Sequence, residues 1–148
     1  MVELNFPTYP FRLKSKENKV FIFDILRKKE VVLTPEEWVR QHVLHWLINA
    51  KKYPASIIAI EKQLQLNKIT KRTDILIFDK SGQPDVIIEC KAPHISITQN
   101  SFDQIARYNL KLNANVLMVT NGLQHYYCAI DHTNEAYVFL PELPTYQK

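Results

Sequence analysis

Two apolar runs flanking a helical stretch dictate how this chain can be threaded. Val86–Ile88 lead into Glu89-Cys90-Lys91, and Pro93 stops the run. Asn115–Thr120 ("NVLMVT") is continuously apolar, the pattern of a strand buried on both faces. Between them Phe102, Ile105, Ala106 and Leu112 recur at helical spacing over roughly Ser101–Leu112. A strand, a helix and a second strand joined in this way form a right-handed crossover, which makes the two strands a parallel pair.

The remaining elements turn that pair into part of a mixed sheet. The opening "FPTYPF" is Pro-rich, and residues 1–19 read as an irregular segment ahead of a core over 20–140. Val20–Leu26 and Glu30–Leu33 flank Arg27-Lys28-Lys29 as a hairpin. Thr34 is the N-cap of a helix, with Pro35 in its first turn and Glu37 completing a capping box. Trp38, Val39, Val43, Trp46, Leu47 and Ala50 give that helix one buried face, and it ends near Lys51-Lys52, before Pro54. Ser56–Leu66 reads as a long strand with Glu61 in its middle. Thr73–Asp79 turns through Ser81-Gly82-Gln83-Pro84 into Asp85–Ala92. Leu123–Ile130 and Ala136–Leu140 form a last hairpin. The predicted class is α/β: a mixed central sheet flanked by helices, with β-hairpins at both ends, in a single domain over residues 1–148.

Composition removes whole classes of function. Only Gly82 and Gly122 are glycines, so neither a P-loop nor a dinucleotide-binding loop is available. No apolar run reaches the roughly 18 residues of a membrane span and no signal-peptide core opens the chain, which implies a cytoplasmic protein without a membrane partner. Cys90 and Cys128 lack companions at metal-ligand spacing and read as reduced core residues. The net charge of +4 is uneven: residues 1–72 hold 14 Lys/Arg against 7 Asp/Glu, and residues 73–148 hold 5 against 8. A basic half beside a carboxylate-bearing half suits a protein that grips a polyanion. His42 and His45 are three apart on the first helix but lack further ligands, so they read as core or surface residues.

The chemistry is concentrated at two strand ends. Asp74 opens the run Ile75–Phe78, and Glu89-x-Lys91 closes the next strand. Side chains alternate along a strand, so Glu89 and Lys91 share a face and Cys90 enters the other layer. If the two strands are neighbours, two carboxylates and an ammonium converge. Mg²⁺ takes one or two carboxylates together with substrate phosphate, and an adjacent lysine can orient an attacking water. Asp85 shares a face with Glu89 but lies four residues, about 13 Å, along the strand, which is too far to share one ion.

The order of elements, with "TPEEWVRQ", "RTDILIF", "IIECKAP" and "DQIARY", resembles the PD-(D/E)xK nuclease superfamily. Within it the chain is most similar to the N-terminal nuclease domain of type I restriction enzyme R subunits, in a small stand-alone form. It departs in having Thr73 where the motif has proline. The resemblance implies a restriction-endonuclease-like fold and a DNA nuclease that hydrolyses phosphodiesters with Mg²⁺ or Mn²⁺. Asp74, Glu89 and the Cys90 carbonyl would hold the ion, and Lys91 would position water. Glu61 would reach the ion through water or bind a second one. Glu37 is either the helix-one acid of the family or only a capping residue. Gln104 and Tyr108 match the Gln-x-x-x-Tyr of the type I branch, although Ser101-x-x-Gln104 is also a plausible capping box. Arg107, Arg72, Lys71 and Lys62 are candidate phosphate contacts. R subunits carry a helicase motor after this domain, and nothing here reads as one, so the protein is expected either to cut alone or to work with a separately encoded motor or specificity subunit. Two alternatives stay open: a Holliday-junction-resolvase-like enzyme, expected to be a homodimer, and a non-catalytic DNA-binding or assembly module on the same fold.

Overall fold

A computed structural model describes residues 1–66 and 69–147, without the side chains of Gln65, Leu66, Ile69 and Lys71. Its centre is a six-stranded sheet. The strands are β4 (Ile58–Leu66), β5 (Ile69–Phe78), β6 (Pro84–Cys90), β7 (Val116–Thr120), β8 (His125–Asp131) and β9 (Ala136–Leu140), side by side in that order. Only β6 and β7 are parallel, and α2 (Gln99–Leu110) makes the crossover between them. This is the mixed sheet expected from the two apolar runs. A separate three-stranded antiparallel sheet comprises β1 (Leu13–Lys16), β2 (Lys19–Asp24) and β3 (Lys29–Val32). The first of these falls within the segment expected to be irregular. Its sequence, Leu-Lys-Ser-Lys, is exposed throughout and shows no buried face from which a strand could be read.

Alternation divides the core into two layers. Ile75, Ile77, Ile88, Cys90 and Met118 pack with Val39, Val43, Leu44 and Leu47 of α1 (Pro35–Asn49). Leu76, Ile87, Leu117, Val119 and Cys128 face the other way, onto Phe102 and Ala106 of α2. Each buried aliphatic side chain contributes about 1.5–3 kcal/mol. The sheet is therefore held rigidly between two helices, and its strand ends become fixed platforms. Among the described residues no helix is long and apolar enough to cross a membrane.

Two helix readings need correction. α1 does not have a single buried face: Glu37, Arg40, Gln41, His42 and His45 are buried with the apolar positions, while Ala50 is exposed. The cause is a second cover. Phe11 packs on Trp38, His42 and His45, Phe6 on His42, and Tyr9 on His45. Asp24 of β2 accepts a hydrogen bond from Gln41 at 2.9 Å. The helix thus runs between the large sheet and an N-terminal layer. α2 begins at Gln99, two residues earlier than expected, because Thr98 and Ser101 form the capping box. Gln104 has no part in it.

The histidines belong to the packing. His42 and His45 lie in the aromatic cover, and the His125 ring bridges the Thr120 hydroxyl and the Asn5 carbonyl. Burial draws all three below the ordinary 6.5. Below that pH the unfolded chain takes up protons that the fold resists, so stability is full above pH 6.5 and falls as pH drops toward the depressed native values. The urea midpoint should decline over the interval just below about pH 6.5, where the free imidazole titrates. A flat midpoint across that interval would show that these rings are not held neutral.

Candidate active site

The ladder sets three acids in a row. β5 pairs with β6 through Ile75 and Ile88, which places Asp74 opposite Glu89 one step further on. β4 pairs with β5 through Ile60–Ile75 and Lys62–Thr73, which places Glu61 opposite Asp74. Adjacent strands are about 4.8 Å apart, so Glu61, Asp74 and Glu89 cross three neighbouring strands in one line. Lys91 follows two residues after Glu89, immediately beyond the strand.

Backbone geometry fixes Asp74 within this row. The N–H of Lys91 donates to the Thr120 carbonyl on β7 at 2.8 Å, so the preceding N–H, that of Cys90, points toward β5. There it donates to Asp74 Oδ2 at 2.7 Å. The carboxylate is drawn toward the plane of the sheet, where Arg40 of α1 approaches Oδ1 to 3.6 Å. Burial raises the Asp74 carboxyl above its usual range, against the Cys90 N–H and the charges of Arg40 and Lys91. Glu36 is also raised, by burial and then by Asp74, with Arg40 and Lys91 opposing. Asp74, Glu36, Arg40 and Lys91 therefore share one electrostatic neighbourhood.

Glu61 is built differently. Its φ of 52° is left-handed, and the β4–β5 ladder skips it. That conformation costs about 1–2 kcal/mol for a residue with a side chain, and it breaks the alternation of the strand. One carboxylate oxygen accepts from Arg40 at 2.6 Å and the other from Arg72. The hydrogen bond from Arg40 leads in holding this carboxyl below its usual range. Both oxygens of Glu61 are thus engaged by arginines.

Behind the row lies a buried polar network. Glu37 binds Arg27 at 3.2 Å and Gln41 at 3.0 Å, and Arg27 and Gln41 both reach Asp24. The Thr34 side chain caps the helix by accepting from the Glu37 N–H, but the Glu37 carboxylate is turned into this network rather than back to the cap. Glu37 is a supporting residue in the interior. Glu36, one position earlier, approaches Arg40 to 3.7 Å and lies within electrostatic reach of Asp74 and Lys91. An open cleft of about 590 Å³ is lined by Arg27, Glu36, Arg40, Glu61, Ala92 and His94, among others.

Glu36, Arg40 and His94 were not singled out by the sequence reading. A faint signal existed for Arg40: it follows Glu36 by four residues and Glu37 by three, the helical spacings at which opposite charges pair. Other expected residues lie elsewhere. Gln104, Arg107 and Tyr108 line a separate groove with Leu110, Lys111, His132 and Glu135. His132 is bonded to the Ala114 carbonyl, ahead of β7, whereas Glu89 lies beside Val119 near the far end of that strand. The groove is therefore away from the row of acids. Asp85 enters β6 at that same distant end, bonded to Asn115 at 2.8 Å. Lys62 and Arg72 are exposed on β4 and β5; the side chain of Lys71 lies outside the described residues.

Donor chemistry decides what the row could hold. Among the described residues no group of three or more His, Cys, Asp or Glu is disposed around a metal position. The available set is Asp74 and Glu89 with the Cys90 carbonyl, all hard oxygen donors, and it fits Mg²⁺ or Mn²⁺ rather than zinc.

A mixed sheet carrying acids and a lysine in line across adjacent strands, with a helix on each face, is the restriction-endonuclease-like architecture of PD-(D/E)xK nucleases. The family model described as type I restriction enzyme R protein N terminus matches residues 35–144, and the chain belongs to this family. The matched stretch spans every acid of the row, Lys91 and the whole of α2. No curated protein matches the chain. Among solved structures it is similar to a candidate nuclease belonging to DUF820 from Anabaena variabilis ATCC 29413, with 14% identity and a TM-score of 0.49 over 86% of this chain and 75% of that one.

Proposed function

We propose that this protein is a metal-dependent DNA nuclease. The observation that carries the reading is the placement of Asp74 opposite Glu89, with the Asp74 carboxylate anchored on the Cys90 N–H at 2.7 Å and Lys91 adjoining. Asp74, Glu89 and the Cys90 carbonyl would hold Mg²⁺ or Mn²⁺. When bound, the ion would supply Lewis-acid polarisation of a phosphate and stabilisation of the leaving oxyanion. Asp74 is suited to binding a cation because burial outweighs the relief its present neighbours give. Lys91 would hold the attacking water by its ammonium. Glu61 keeps Arg40 against the row, and Arg40 in turn braces Asp74. Glu36 faces the same cleft and is a candidate to accept a proton from that water.

The basic half of the chain supports a polyanionic substrate, and the family supports DNA. Supercoiled plasmid incubated with the protein and Mn²⁺ should be nicked or linearised, and EDTA should prevent it. Asp74→Ala should lose both this cleavage and the Mn²⁺-binding heat seen in calorimetry. Normal turnover by that variant would remove Asp74 from the site. Plasmid left intact while the protein binds DNA equally with and without Mn²⁺ would make it a binding module.

A further inference from the structure

β4 and β5 continue well past the sheet. β6 covers β5 only from Ile75 to Phe78, whereas β4 stays paired with β5 out to Leu66–Ile69. Five rungs beyond the acid row, from Lys62–Thr73 to Leu66–Ile69, thus form a two-stranded ribbon with no third strand among the described pairings. At about 3.4 Å per residue it reaches roughly 14–17 Å past Asp74.

Its composition differs from that of the rest of the sheet. Residues 62–73 hold Lys62, Lys68, Lys71 and Arg72 and no Asp or Glu. The register separates them into two faces. One carries Lys62–Thr73 and Leu64–Lys71, and Leu64 on it packs back onto the layer beneath α2. The other carries Gln63–Arg72 and Gln65–Thr70. On that face Gln63, Thr70 and Arg72 are exposed, and Arg72 bonds Glu61, so the face runs directly into the acid row. Its described side chains are an amide, a guanidinium and a hydroxyl, and none of them is apolar.

We propose that this ribbon enters the major groove of duplex DNA and delivers the backbone to the acid row; the inference rests on the nuclease reading for its substrate class. Three observations select the occupant. The segment is cationic without a single acid, which complements phosphate. A two-stranded β-ribbon fits the roughly 12 Å major groove of B-form DNA, whereas the deep, narrow major groove of A-form RNA excludes it. Gln and Arg side chains form bidentate pairs with adenine and guanine edges in that groove. Gln63 and Arg72, opposite one another, are the base-facing pair. Lys62 flanks them as a phosphate contact.

The test uses the full chain with Ca²⁺ and fluorescent duplexes of one sequence, made as DNA and as RNA. Wild type is expected to bind the DNA at least about tenfold more tightly than the RNA, and Gln63→Ala/Thr70→Ala should weaken DNA binding by about tenfold. Lys62→Ala should lower the slope of affinity against salt by about one contact. Dimethyl sulfate separates the grooves: methylated guanine N7 should interfere with binding, and methylated adenine N3 should not. Thermal unfolding and Mn²⁺ calorimetry of the variants should match wild type. Undiminished DNA affinity in the folded double variant, equal binding to both duplexes, or interference at adenine N3 overturns the ribbon proposal. A wild type that binds duplex DNA but no Mn²⁺ overturns the metal site and leaves the ribbon standing.

Discussion

Lys91→Ala should lower DNA cleavage by about 10²–10⁴-fold, the range for losing a positioned proton-transfer or water-orienting group, while DNA affinity stays within about twofold. The reason is placement. Glu89 and Lys91 stand two apart at the end of β6, and the Lys91 ammonium lies near enough to oppose the rise of both the Asp74 and Glu36 carboxyls. On the proposed reading its ammonium would hold the attacking water beside those carboxylates. Removal of a half-buried side chain at a strand end should change stability by no more than about 1 kcal/mol. Single-turnover cleavage of a labelled duplex separates the possibilities. A slow chemical step at unchanged affinity supports the role. Equal loss of affinity and rate would make Lys91 a phosphate contact, and an unchanged rate would move water positioning elsewhere. Lys91→Arg should recover little, because a planar fork does not replace a compact ammonium.

Period-two alternation made Asp74, Glu89 and Lys91 legible before any coordinates, because each follows or precedes a short apolar run whose neighbours fix the register. The crossover was legible for a different reason: Val116–Val119 is an unbroken apolar run, the mark of a strand buried on both faces. The ribbon was not. Thr70-Lys71-Arg72 shows no apolar alternation, since only one strand pairs with it, and the strand therefore seemed to begin at Thr73 instead of Ile69. Gln104 and Tyr108 do lie on a helix at the expected spacing, but helical spacing says nothing about where that helix crosses the sheet. Their groove with His132 and Glu135 follows from the placement of α2, which depends on Phe102 packing beside Tyr126 and Phe139. The buried charges on α1 were least visible of all. Nothing in the sequence marks Arg40 and Gln41 as buried: Gln41 is covered by Asp24 of β2, and the aromatic cover over the neighbouring His42 and His45 comes from a Pro-rich segment without periodicity.

Arg40→Met should be the most destabilising single change near the site. The Arg40 side chain is 6% exposed and approaches Glu61 at 2.6 Å, Glu37 at 3.6 Å and Asp74 at 3.6 Å. Removing the guanidinium takes one partner from each of three carboxylates; Glu61 keeps Arg72, Glu37 keeps Arg27 and Asp74 keeps the Cys90 N–H, so the cost is set at the low end of the about 3–5 kcal/mol for a buried pair broken from one side. In a chain of this size that lowers the melting temperature by on the order of 10 °C. Two further readouts distinguish lost charge from lost packing. Without the guanidinium the native carboxyls bind protons more tightly, so the deficit against wild type should be largest near neutral pH and shrink as pH falls through the carboxylate range. Mn²⁺ should restore more stability to the variant than to wild type, because a divalent ion beside Asp74 would supply the missing positive charge. A deficit that is independent of pH and blind to Mn²⁺ would make Arg40 a packing residue, and the brace on Asp74 would have to come from Cys90 alone.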